Sequence, residues 1–91
     1  MNVCGKIMMV EDDHLLGQAY KRCLRPLGME IEVFNSAQKA LSCLTRDWPG
    51  IVVTDIMMPG MDGLALMKKV KSLDQDLPVV LVTGKGDIPM A

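Results

Sequence analysis

No run of like charges interrupts this sequence. Ten Lys and Arg stand against eleven Asp and Glu, a formal net charge of −1, so nothing in the chain tracks a nucleic-acid backbone and no direct DNA contact is expected of it. No CxxC pair is present either. Three cysteines, Cys4, Cys23 and Cys43, lie about twenty residues apart in a chain with one His, which excludes the common zinc frameworks. They read as reduced, mostly buried thiols of a cytosolic protein. No apolar run approaches the length of a bilayer span, and no charged segment leads into an apolar one at the amino terminus. A soluble, cytoplasmic protein without membrane contact is expected, and 91 residues leave room for one small domain with a thin core.

Two kinds of periodicity alternate along the chain. Ile7 to Val10 is continuously apolar, as a strand covered on both faces must be. Leu15, Leu16, Ala19, Tyr20, Cys23, Leu24 and Leu27 then fall on a helical stripe that Asp13 can cap and Gly28 can end after Pro26. Glu30 to Phe34 alternates charged with apolar residues, which suits a strand at a sheet edge. Ser36 caps a second helix with an inner stripe of Ala37, Ala40, Leu41 and Leu44, and Trp48-Pro49-Gly50 breaks it. Ile51 to Thr54 forms the next buried strand. Leu64, Met67 and Val70, with Leu66 and Leu73 beside them, mark a third helix ending near Ser72, and Val79 to Val82 makes a fourth strand. Strand alternating with helix calls for a parallel sheet with right-handed crossovers.

Chemistry concentrates where two of these strands end. Asp55 closes one apolar run and Glu11-Asp12-Asp13 follows another, and open α/β sheets hold ligands at the carboxyl ends of their strands. Carboxylates gathered there repel by roughly 4 kcal/mol per close pair at an effective dielectric near 20, so a cation is expected. Hard oxygen donors without His or Cys nearby favour Mg²⁺. Asp12 and Asp55 are the candidate direct ligands, the backbone carbonyl of Met57 a third, and Glu11 a ligand through water; Asp13 is assigned to capping the first helix. An aspartate beside Mg²⁺ can attack a phosphoryl group, and Asp55 fits that nucleophile. Thr83, at the end of the fourth strand, can donate its hydroxyl to a phosphoryl oxygen. Met57, Met58 and Met61 cluster beside Asp55 among nine methionines in all, and read as gap-filling core residues.

Val10-Glu11-Asp12-Asp13, the segment Val53-Thr54-Asp55-Ile56-Met57-Met58-Pro59-Gly60-Met61-Asp62-Gly63, and Leu81-Val82-Thr83-Gly84 resemble the receiver domain of bacterial two-component response regulators. The likeness runs from about residue 6 to residue 91, and its D-x-x-M-P-x-M-D-G segment is highly specific. It implies a flavodoxin-like (CheY-like) fold and autocatalytic phosphotransfer from a sensor histidine kinase to Asp55. It also implies Mg²⁺ held by Asp12, Asp55 and the Met57 carbonyl, with Thr83 as the switch hydroxyl. A narrower resemblance, carried by residues 59–66 and 83–91, is to regulators of the nitrogen-regulation and dicarboxylate-transport class, transcriptional activators with further domains. Lys85 stands where such sequences more often carry His.

Receivers of this family continue through a fourth helix, a lysine-bearing fifth strand and a fifth helix. The expectation is therefore a receiver domain over 1–91, truncated at its C-terminal end, with strand order 2-1-3-4 and the fifth strand and last helices missing. Its fourth strand would then be a bare apolar edge, so the expectation is either a homodimer joined through that strand and the open face or a marginally stable species prone to aggregate. Two other functions compete. An aspartate-nucleophile phosphohydrolase needs a second aspartate two positions after the first, and Met57 stands there, so the chain is expected not to be an enzyme. A non-phosphorylatable dimerisation module with the same fold is opposed by the intact Asp12, Asp55 and Thr83.

Overall fold

The computed structural model describes residues 5–82. Four strands, β1 (Lys6–Val10), β2 (Glu30–Phe34), β3 (Gly50–Asp55) and β4 (Val79–Val82), alternate with three helices, α1 (His14–Leu24), α2 (Ala37–Cys43) and α3 (Gly63–Leu73). All strand pairs are parallel, and the order is β2-β1-β3-β4. This is the doubly wound arrangement that the alternating pattern predicts, with half-charged β2 at an edge.

The continuous apolar runs are explained by two cores, one on each face. Successive residues of a strand point to opposite sides, so Met8, Val10 and Val52 join Ala37, Ala40, Leu44, Leu66, Val70 and Leu77 beneath α2 and α3. Ile7, Met9, Ile31 and Val53 face the other way, packed by Tyr20 and Leu24 of α1 together with Met29, Val33, Ile51 and Val82. Among the described residues β2 has one strand neighbour, and it keeps its alternation at the start, with Glu30 exposed and Ile31 buried.

Helix limits follow local chemistry. The Leu15 and Leu16 amides donate to Asp13 Oδ1 at 3.0 and 3.2 Å, and the Lys39 amide donates to Ser36 Oγ at 3.1 Å. α1 passes into a short 3₁₀ turn, Arg25–Leu27, closed by Gly28 at φ 77°, a left-handed conformation that favours glycine.

The phases of two helices differ from the expected stripes. α1 buries Gly17 and presents Tyr20 and Leu24 to the sheet, leaving Leu15 79% and Leu27 62% exposed and Cys23 at the surface. The cause is Gly17: a Cβ there would lie 3.0 Å from Val33 Cγ1, so the helix approaches β2 along its bare glycine and turns Leu15 and Cys23 outward. α3 likewise buries Gly63, Leu66 and Val70, while Leu64 and Leu73 are exposed. Cys43 is exposed too, so the two described cysteines are surface thiols rather than buried ones; Cys4 lies outside the described residues. Of the methionine cluster, Met58 and Met61 pack on the α2–α3 core, whereas Met57 is 63% exposed.

Candidate functional site

The register places the site. Val10 pairs with Thr54 and Asp55 with Val82, so the residue after β1 and the last residue of β3 emerge side by side at the carboxyl end of the sheet. Glu11 is tied there by its amide, which donates to the Phe34 carbonyl at 2.9 Å. One carboxylate oxygen each from Glu11, Asp12 and Asp55 can lie within 4.8 Å of the others, with Glu11 and Asp55 buried and Asp12 half-buried. The three acidic neighbours thus divide their work: Asp13 caps α1, while Glu11 and Asp12 turn toward Asp55.

Burial is the first cause of the electrostatics at this cluster. It pushes the Glu11 carboxyl up from 4.5 to about 7, and the hydrogen bond and charge of Asp55, with Asp12 beside it, push the same way; the Asp13 amide, donating to Glu11 Oε2 at 3.0 Å, pulls it partly back. Carboxylates gathered this closely repel one another, and a divalent cation would offset their charge. The donors are all hard oxygens, the set that suits Mg²⁺ rather than zinc. The residues present therefore fit the metal.

Met57 follows Asp55 by two positions, and its amide donates to Asp55 Oδ1 at 3.3 Å, which fixes one carboxylate oxygen against the backbone of the proposed third ligand. Thr83 lies outside the described residues, immediately after Val82 in the chain. Sequence reasoning missed Asp62 as a structural residue of this rim. Its Oδ1 accepts the Ala65 amide at 2.9 Å and caps α3, a role signalled by an Asp three residues ahead of Ala65 at the start of an apolar run. Sequence reasoning also missed the cleft of about 300 Å³ on the far side of Glu11, lined by His14, Gln18, Val33, Phe34, Asn35 and Lys39. Its walls come from three separated segments.

A doubly wound sheet with an acidic cluster at the switch between β1 and β3 places these carboxylates where open α/β sheets hold their ligands. The family model for the response regulator receiver domain matches residues 7–91, and the chain belongs to that family. It is 48% identical over 91 residues to the C4-dicarboxylate transport transcriptional regulatory protein DctD of Rhizobium meliloti (strain 1021), covering all of this chain and 20% of that protein. The chain spans about a fifth of the length of the dicarboxylate-transport regulators it matches. Among solved structures, FixJ-N superposes with a TM-score of 0.77 at 29% identity, covering all of this chain and 72% of its own. A structure of the histidine kinase ThkA in complex with the response regulator protein TrrA matches with a TM-score of 0.81 at 24% identity, over 96% of this chain and 75% of that one, and shows the fold alone.

Proposed function

We propose that Asp55 accepts a phosphoryl group from the phosphohistidine of a sensor histidine kinase. The observation that carries this reading is the juxtaposition of buried Asp55 with Glu11 and Asp12 at the end of the sheet. Asp12, Asp55 and the Met57 carbonyl would hold Mg²⁺ directly, with Glu11 reaching it through water. Bound there, the ion supplies positive charge to the phosphoryl oxygens and keeps the nucleophile ionised.

This chain's own residues supply position. The Met57 amide holds Asp55 Oδ1, and a carboxylate oxygen of Asp55 would attack phosphorus in line with the donor. The Asp55 O–P bond forms as the N–P bond of the donor breaks, and its electron pair returns to the imidazole, which takes a proton from solvent. Burial and Asp55 raise the proton affinity of Glu11, and a cation held beside it would favour its ionised form. Thr83 would donate its hydroxyl to the new phosphoryl oxygens and carry the state change to the strand end. No described residue supplies the acid-base aspartate of a phosphohydrolase two positions after Asp55, where Met57 stands, so stable labelling is expected rather than turnover.

The kinase as partner is supported by the ThkA–TrrA complex, in which the same fold is paired with a histidine kinase. The name of DctD suggests an effector that acts in transcription. Nucleic-acid contact would then fall to that effector, and the cytoplasm would be the site of action. No helix among the described residues is long and apolar enough to cross a membrane.

Incubation with acetyl phosphate and Mg²⁺ tests the proposal. Intact mass should rise by one phosphoryl group, and Asp55→Asn should abolish the gain. Asp12→Ala should weaken metal binding and labelling together. Acid-stable label persisting on Ser or Thr in Asp55→Asn would overturn the assignment.

A further inference from the structure

Thr54 is fully buried, and by strand alternation it shares the face of Val52, which belongs to the apolar core beneath α2 and α3. A hydroxyl in such a layer is unfavourable unless it is hydrogen-bonded, and valine has nearly the same shape without that burden. The hydroxyl has a partner: Thr54 Oγ1 donates to the Asp55 carbonyl at 3.1 Å. That same carbonyl is also closely approached by the first residue of α3. A Cβ on Gly63 would stand 2.3 Å from the Asp55 oxygen and 2.9 Å from Ile56 Cα, distances that backbone atoms cannot yield to cheaply. The N–H of that peptide and the carbonyl of the next are held as well. The Ile56 amide donates to the Val82 carbonyl at 3.0 Å, and the Ile56 carbonyl accepts the Gly63 amide at 3.0 Å.

We propose that Thr54 and Gly63 are positioning residues for the phosphoacceptor, forming a clamp on the Asp55 carbonyl that sets the plane of the Asp55–Ile56 peptide. That plane determines where the Met57 amide meets Asp55 Oδ1 and where the Met57 carbonyl lies. The inference rests on Asp55 being the phosphoacceptor. Neither residue touches the phosphoryl group; each acts through the Asp55 carbonyl. Small displacements of reacting groups have large kinetic effects, so a hydroxyl buried behind the strand can matter to a reaction in front of it.

Three variants separate positioning from stability. Thr54→Val keeps the shape and removes the hydroxyl, so it should melt at or above the wild-type temperature yet label roughly tenfold more slowly with acetyl phosphate and Mg²⁺. Thr54→Ser keeps the hydroxyl and leaves a methyl-sized gap, so it should melt lower and label at close to the wild-type rate. The order of rates therefore opposes the order of stabilities, which a merely structural role does not produce. Gly63→Ala, at the other half of the clamp, should slow labelling too. In Thr54→Val the Ile56 and Met57 amide resonances should also move before any phosphodonor is added. Wild-type labelling by Thr54→Val, or rates that simply follow melting temperature across the three variants, would overturn the clamp. An unlabelled wild type would overturn the phosphoacceptor reading, and a shifted Met57 amide in Thr54→Val would still uphold the clamp.

Discussion

Glu11 combines two properties that oppose each other in a stable protein, a carboxyl group and almost complete burial. Its proton affinity is higher in the fold than in the unfolded chain, since burial and the neighbouring Asp55 raise it from 4.5 to about 7. Between those values the folded form binds more protons at Glu11 than the unfolded form, so the stability this group contributes is fully present below about pH 4.5 and is lost as pH rises through about 7. Metal-free protein should therefore melt at a lower temperature at pH 8 than at pH 5.5, and Glu11→Gln should flatten that slope. Saturating Mg²⁺ should raise the melting temperature most at the higher pH, where the carboxylates are ionised, because a ligand that binds only the native form stabilises it. Thermal melts in EDTA and in Mg²⁺ across this range check the argument; equal slopes for wild type and Glu11→Gln would place the titration on another group. The strain is local to the place where the chemistry happens, as is common for sites that trade stability for function.

At the scale of elements, the strands were legible and the helix phases were not. β1 and β3 bury both faces, so Ile7 to Val10 and Ile51 to Thr54 carry an apolar signal at every position, and β2 shows its edge position in Glu30 and Glu32. A helix stripe is instead decided by which side approaches the sheet most closely, and in α1 and α3 that side is led by a residue with no side chain. Gly17 against Val33 and Gly63 against the Asp55 backbone set the rotation; counting apolar residues gives such positions no weight. The cap of α3 carries a testable share of its stability. Asp62 Oδ1 satisfies the Ala65 amide, so Asp62→Ala should lower the unfolding free energy by about 1 kcal/mol, read from urea melts, while Asp62→Asn should retain most of it. A loss below a few tenths of a kcal/mol would mean that water replaces the cap.

The whole molecule brings together residues that the chain keeps 43 positions apart, Asp12 and Asp55. Their meeting was legible because adjacent parallel strands end level with one another; the burial of Glu11 was not, since it lies just past the end of β1 where the strand pattern gives no signal. The same topology leaves one face unevenly covered. α1 packs mainly over β1 and β2, and on that side Val53 is buried while Val80, paired with it on β4, is 45% exposed. Among the described residues, β4 has one strand neighbour, and it carries neither Lys nor Pro within Val79–Val82, the devices that usually blunt an edge. Among the described residues this apolar edge lies beside an apolar patch, the kind of surface that pairs with another chain. We expect the weight-average mass of this chain in sedimentation to rise above 10.0 kDa with concentration. Val80→Lys should hold it at the monomer value and leave the melting temperature nearly unchanged, because an exposed side chain contributes little to the fold. A wild type that stays monomeric at every concentration would show that the β4 edge is protected, and a variant that associates as strongly as wild type would move the contact to another surface.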